Sequence, residues 1–293
     1  MKIVYFGTSS FAVPALKAVS NRVSLVVSQP DKPSGRGMRL TASPVKAAAI
    51  ELGLPVVTPD RARNAEFVQS IRKLEADFLL VAAYGQILSV DLLESSAHGG
   101  INLHGSILPK YRGAAPIQRC IEAGDTETGV SLMQMDKGMD TGDVIAIERL
   151  TIGPDETAGE LQTRLAELAA TWTCNWAERL ATGQYPRIPQ DHENSTHAAK
   201  VSKADAELRF DEPIETVYNR FRAFTPAPGA WIQTKFGRLK ISKARKGDYG
   251  PGSIAFGGGS LELLEVQPEG RGRMTGAEFF RGHHIQTGDQ LRP

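Results

Sequence analysis

The sequence predicts an α/β protein in two parts, a mostly parallel sheet wrapped by helices followed by a small β-rich, barrel-like domain. Three observations predict it. Apolar, β-branched runs alternate with helical stretches from the N-terminus to about residue 182. A polar stretch then covers 190–204, in which Val201 is the only larger aliphatic residue. Beyond it, one short helical pattern precedes several short strands, some separated by glycine-rich turns such as Gly257-Gly258-Gly259. The domains are accordingly expected at 1–189 and 207–293, with 190–206 as a linker.

Each element has a local reason. Lys2 to Phe6 reads as a buried strand closed by Gly7, followed by a helical stretch around Ser9 to Val19. Val23 to Val27 is a second strand. Ser43 before Pro44 is an N-cap with proline in the first turn, which starts a helix to about Leu52. A short strand at 55–57, a helix over 64–74 and an apolar strand at 77–83 follow. Strands at 101–104 and 129–135 flank a helical stretch at 116–123. A long amphipathic helix runs from Thr157 to Thr182, begun by Asp155-Glu156 and ended by Gly183. In the second part the pattern gives a helix at 213–221 and strands at 231–234, 238–242, 253–256 and 261–266.

Composition excludes more than it assigns. With 293 residues, 41% of them hydrophobic, the chain can bury a sizeable core, which rules out disordered and fibrous classes. No run of 18 apolar residues exists, and the first apolar run is too short for a signal peptide. Two cysteines, Cys120 and Cys174, make neither a disulfide framework nor a cysteine zinc site. A cytoplasmic protein with no membrane partner is therefore expected, and a monomer is the simplest reading. The six histidines show no metal-ligand spacing, so no metal is expected. Neither a GxxxxGK[ST] phosphate loop nor a GxGxxG following a strand occurs, which removes the common nucleotide-binding classes.

Charge is informative only by position, because 34 basic against 33 acidic residues leave a formal charge of +1. Asp31 to Lys46 carries Lys32, Arg36, Arg39 and Lys46 against one acid. Asn219 to Gly247 holds eight basic residues, among them Lys235, Arg238, Lys240, Lys243, Arg245 and Lys246, and no acid. The segment reads either as a solvated basic face or as a footprint for a phosphate backbone.

Chemistry concentrates in two segments. On a strand at 101–104, Asn102 and His104 lie two residues apart and project from one face, next to Gly105 at the carboxyl end of the sheet. An amide beside an imidazole suits carbonyl chemistry: the amide donates to a developing oxyanion, and the imidazole moves a proton near neutral pH. A structural histidine at a strand end is equally common. The second segment, Gln134 to Asp143, offers Asp136, Asp140 and Asp143 in a glycine-punctuated loop, and spacing alone does not choose among them.

At these residues the chain resembles the folate-dependent formyltransferases. Asn102-Leu103-His104-Gly105-Ser106-Ile107-Leu108-Pro109, running on through Lys110-Tyr111-Arg112-Gly113, is similar to their signature, and Gly138-Met139-Asp140-Thr141-Gly142 to their second motif. Asp31 to Gly37 with Ser43 to Lys46 looks like an insertion loop of the branch that formylates methionyl initiator tRNA. The likeness continues through Lys200-Val201-Ser202-Lys203 and the Arg222–Trp231 stretch. It implies a Rossmann-like catalytic domain with an OB-like barrel, 10-formyltetrahydrofolate as co-substrate and methionyl initiator tRNA as partner. Carried over, Asn102, His104 and Asp140 become the catalytic trio. Ser106, Ile107, Leu108 and Pro109 would lie on the folate, with Gln86, Ile87 and Leu88 lining its pterin pocket. Arg36, with Lys32 and Arg39, would meet the acceptor end of the tRNA. The six cations from Lys235 to Lys246 would meet its backbone. Met38 departs from the branch pattern, where another basic residue is common, and Ile107 replaces a common leucine.

Other readings remain at this point. Enzymes that formylate sugar nucleotides share the motifs and some carry a β-rich second domain, whereas glycinamide ribonucleotide formyltransferases are usually one short domain. A non-catalytic RNA-binding protein on the same scaffold is disfavoured by the intact trio, and a nicotinamide-dependent dehydrogenase by the missing glycine fingerprint.

Overall fold

The computed structural model describes residues 1–34, 38–248, 250–286 and 291–292, so Arg36 lies outside the described residues. The chain packs as two units. One comprises 1–114, 128–150 and 162–198; the other comprises 115–127, 151–161 and 199–293. In chain order the strands are β1 (Ile3–Gly7), β2 (Val23–Val27), β3 (Lys32–Ser34), β4 (Arg39–Thr41), β5 (Val56–Val57), β6 (Phe78–Ala82), β7 (Gly100–His104) and β8 (Arg112–Gly113). They continue with β9 (Glu127–Gln134), β10 (Val144–Thr151), β11 (His197–Ala198), β12 (Trp231–Thr234), β13 (Gly237–Lys246), β14 (Ser253–Phe256) and β15 (Gly259–Pro268).

The first unit is built on a seven-stranded sheet in the order β10-β9-β7-β6-β1-β2-β5. From β7 to β5 every neighbouring pair is parallel, and β9 runs antiparallel to β7. Every residue of β1 (IVYFG) and β6 (FLLVA) is buried, as expected for parallel strands covered on both faces. Helix Pro44–Glu51 starts where the sequence places it: Ser43 Oγ accepts the Lys46 N–H at 3.0 Å, and Pro44 occupies the first turn. Asn64 caps helix Ala65–Arg72 in the same way, accepting the Glu66 N–H at 2.9 Å. The helical stretch expected at 9–19 divides into a 3-10 turn at Ser10–Ala12 and a helix at Val13–Ala18.

Several elements of this unit escape the sequence pattern. β10 follows the second motif directly; only Val144 and Ile145 are buried at its start, while Glu148 and Arg149 face solvent. Within the polar 31–46 segment, β3 and β4 pair antiparallel, Lys32 against Thr41 and Ser34 against Arg39. The polar stretch after Gln190 is also less loose than its composition suggests, because β11 pairs in parallel with β8.

The second unit carries an antiparallel sheet in the order β12-β13-β15-β14. Register slips on β13 between Ile241 and Lys243 and between Lys243 and Ala244. Such bulges increase local twist and curl a sheet around its core. That core holds Leu239 and Ile241 of β13, Leu261 and Leu263 of β15, and Phe221 and Phe279 from two helices. Strand alternation then leaves Arg238 and Lys240 on the outer face. The second of those helices, Gly276–Gly282, opens with a capping box between Thr275 and Glu278 and has no counterpart in the sequence reading.

Two cations of the basic segment are structural. Arg222, only 5% exposed, donates to the carbonyls of Gly153 and Glu156 at 3.2 and 3.3 Å and to Asn219 Oδ1 at 2.6 Å. Burial holds its guanidinium below the usual arginine range. Arg220 pairs with Glu212 and donates to the Glu207 carbonyl.

Candidate active site

β7 presents the site. It is the strand against which β9 turns antiparallel, and its last residue is His104. Asn102 and His104 are 8% and 6% exposed, so their polar atoms depend on protein or substrate partners. Asn102 Nδ2 donates to Asp140 Oδ1 at 3.3 Å. A carboxylate only accepts, which fixes the orientation of the Asn102 amide. His104 Nε2 lies 2.9 Å from the Tyr111 carbonyl. A carbonyl also only accepts, so Nε2 carries a proton and Nδ1 is the nitrogen open to proton exchange. Nδ1 faces Asp140 Oδ2 at 3.7 Å, within ion-pair reach but beyond a hydrogen bond.

The loop after β9 sorts its three carboxylates by conformation. Asp136 Oδ1 accepts from the Gly138 N–H at 2.9 Å and the Thr141 hydroxyl at 2.7 Å, closing a turn. Asp143 pairs with Arg187 at 3.0 Å. Asp140 alone of the three meets Asn102 and His104. It sits at φ 55°, a left-handed conformation that Asp tolerates better than most residues. Its Oδ2 also accepts the Gly113 N–H at 2.8 Å. Gly142 permits this loop, since a Cβ there would overlap the Gln134 carbonyl oxygen.

The other folate-assigned residues divide between surface and core. Ser106 is fully buried, donates to the Lys110 carbonyl at 2.7 Å, and is followed by the half-buried Ile107 and Pro109. Leu108 packs with Met133, Val144 and Ile147. The Gln86 amide is spent on backbone, accepting from Ala62 N and donating to the Pro59 carbonyl. Ile87 is 78% exposed, while Leu88 joins the core beside Leu92 and Leu93. A pocket of about 900 Å³ opens at the other end of β7, lined by residues that include Val90, Leu93, His98 and Met135. None of Asn102, His104 and Asp140 lines it.

The cations also divide. Lys32 Nζ donates to Gln29 Oε1 at 2.5 Å, and Arg39 is exposed on β4. Lys46 is neutralised by Asp31 at 2.7 Å. On the second unit, Arg245 pairs with Glu262, and Lys246 with Glu215 at 2.7 Å. Lys243 stands opposite Glu265, whose carboxyl is held below the usual range first by the Ser242 hydroxyl and then by Arg273 and Lys243. Lys235, Arg238 and Lys240 pair with no carboxylate among the described residues. Arg238 lies over the Trp231 ring at 4.0 Å and Lys235 over Phe236 at 5.4 Å.

Residues that the sequence reading passed over complete the site. Gln190, 7% exposed within the expected linker, donates through Nε2 to the carbonyls of Asp140 and Gly142 at 2.9 and 2.7 Å. Its Oε1 accepts from Arg112 Nε and Nη2 at 3.0 and 2.7 Å. Thr196 accepts the Tyr111 and Arg112 N–H groups through its hydroxyl and carbonyl, which sets the carbonyl that orients His104. Among the described residues, no group of three or more His, Cys, Asp or Glu is placed to hold a metal ion, and no helix is long and apolar enough to cross a membrane.

Comparison with known proteins supplies context for this geometry. Residues 1–175 match the family model "Formyl transferase", and residues 200–284 match "Formyl transferase, C-terminal domain". A methionyl-tRNA formyltransferase of Symbiobacterium thermophilum is 45% identical over all of this chain and 96% of its own length. One from Neisseria meningitidis is 43% identical over 99% of this chain and 100% of its own. Among solved structures, an N-formyltransferase of Helicobacter canadensis, in complex with folinic acid and dTDP-3-aminofucose, superposes with a TM-score of 0.68. It is 19% identical, covering 90% of this chain and 98% of that one, and so bears on the fold alone. HypX of Aquifex aeolicus, in complex with tetrahydrofolic acid, gives 0.66 at 13% identity over 96% of this chain and 47% of that one.

Proposed function

This chain belongs to the formyl transferase family, and we propose that it moves the formyl group of 10-formyltetrahydrofolate to the free amine of methionyl initiator tRNA. The observation that carries this reading is identity of 42–45% along essentially the whole length to relatives bearing the name methionyl-tRNA formyltransferase. Three structurally similar chains named as sugar or likely sugar N-formyltransferases are 16–19% identical to this chain. A folate-type donor agrees with the family.

The donor supplies a formyl carbonyl activated for attack by an amine. The aminoacyl amine needs little activation, because its ester lowers its pKa below the roughly 7.7–8.0 of an ordinary α-amino group. Asn102 spends one amide hydrogen on Asp140 and keeps the second for the formyl oxygen as negative charge builds there. His104 Nδ1, facing Asp140, shares in stabilising that charge when protonated. Asp140, held by Gly113 and Asn102, takes up the proton that the amine must release, directly or through water. The bond from the formyl carbon to N10 of the folate then breaks, the proton released by the amine passes by way of Asp140 and water to that nitrogen, and tetrahydrofolate departs. No side chain of the trio serves as a nucleophile, so the transfer is direct.

Recognition of the RNA falls to unneutralised cations. Lys235, Arg238 and Lys240 present charge on the second unit, and the paired strands β3 and β4 carry Lys32 and Arg39 on the first. Phosphate contacts of this kind are sequence-blind and salt-dependent. The test is acceptor preference: with one donor, methionyl initiator tRNA is expected to be formylated and an amino-sugar nucleotide left unchanged. Transfer to the sugar alone overturns the reading. Replacing Arg238 and Lys240 together by alanine is expected to raise the KM for tRNA and reduce its dependence on salt by roughly one ion per lost phosphate contact. An unchanged salt dependence removes these two residues from the interface.

A further inference from the structure

We propose that Gln190 is a positioning residue for the transfer step, holding Asp140 in its working conformation through the backbone while Arg112 holds the strand that grips its carboxylate. The inference rests on the assignment of Asp140 above. Asp140 has two requirements that its own loop does not meet. Its left-handed backbone needs an outside restraint, and its carboxylate must stay within reach of both Asn102 and His104. Gln190 meets the first with both of its amide hydrogens, one to the Asp140 carbonyl and one to the Gly142 carbonyl. Its oxygen meets the second indirectly by accepting two bonds from Arg112. Arg112 directly precedes Gly113, whose N–H binds Asp140 Oδ2. One buried side chain therefore ties the backbone of Asp140 to the peptide that fixes its side chain.

The surrounding chain holds Gln190 in place. Ile188 exchanges two backbone hydrogen bonds with Val144, at 2.9 and 3.0 Å, just after the Asp140 loop. Past Gln190, Thr196 and Ala198 accept the N–H groups of Arg112 and Ala114. The amide's two donors and the two acceptor sites of its oxygen are all engaged, so none is left for substrate. Gln190 acts through Asp140.

Gln190→Glu is the selective test, because a carboxylate keeps both bonds from Arg112 and cannot donate to the Asp140 and Gly142 carbonyls. Turnover at saturating substrates is expected to fall on the order of 10²-fold, the usual cost of misplacing a reacting group by about 1 Å. The KM values for donor and tRNA should stay within roughly threefold of the parent's, since ground-state binding is untouched. Gln190→Met, which removes every bond, should lose at least as much turnover. In an Asp140→Asn background, Gln190→Glu should cause no further loss, because its target is already disabled.

Turnover near the parent's in Gln190→Glu, with Asp140→Asn inactive, overturns this inference and leaves the trio standing. Raised KM values at unchanged turnover, or a lowered melting midpoint without a selective loss of turnover, reduce Gln190 to a structural role and also overturn it. Parent-like turnover in Asp140→Asn instead overturns the assignment beneath it.

Discussion

Asp140→Asn is expected to fold with a near-normal melting midpoint and to lose roughly 10²–10⁴-fold in turnover, the range for removing a proton-transfer group. The substitution is nearly isosteric, but it changes what the side chain can accept. Asp140 now accepts from two donors, Asn102 Nδ2 and the Gly113 N–H, on separate oxygens. An amide has one acceptor oxygen, so its NH₂ must oppose one of those donors. The variant therefore loses the proton acceptor and disturbs either the Asn102 amide or the 112–113 strand. Steady-state kinetics with a melting curve separates this from unfolding; turnover near the parent's removes Asp140 from the trio.

Asn102→Ala is expected to cost roughly 10²–10³-fold in turnover, the price of one oxyanion donor. Asn102 is in the middle of a fully buried strand whose backbone bonds to β6 and β9 do not involve its side chain. The fold should survive, with Asp140 Oδ1 left open to water. Because the lost hydrogen bond strengthens only as charge develops, turnover should fall with little change in the KM for either substrate. A raised KM at parent turnover would make Asn102 a binding group instead.

The elements most legible in the sequence were those whose signal is local. β1, β2 and β6 announce themselves as short apolar runs, and Ser43 and Asn64 as caps. The same-face placement of Asn102 and His104 follows from strand alternation alone. β10 was missed because its apolar residues stop after four and charged ones follow, a pattern that reads as loop. The helix at 276–282 was missed although Thr275 and Glu278 form a capping box, because glycine stands at both ends of a seven-residue span.

What was illegible depends on contacts between residues far apart in the chain. Spacing could not rank Asp136, Asp140 and Asp143, since the ranking comes from a left-handed turn and from Arg187, 44 residues beyond Asp143. Gln190 reaches residues 48 to 78 positions away, and its polar neighbours disguise it as linker. The acid-free run from 219 to 247 was real as sequence and misleading as charge. Strand pairing brings Glu262 and Glu265 of β15 against Arg245 and Lys243, and Glu215 from a helix meets Lys246. The expected cationic surface thereby contracts toward Lys235, Arg238 and Lys240.

The most direct test of the central claim follows a labelled formyl group through a single turnover, with enzyme in excess over donor and methionyl initiator tRNA present. The label is expected to pass from the folate to the methionyl amine without ever residing on the protein, and to stay on the folate when Asn102 or Asp140 is replaced. Label accumulating on the protein, or reaching the tRNA at the parent rate in both variants, would contradict direct transfer through the Asn102–His104–Asp140 site.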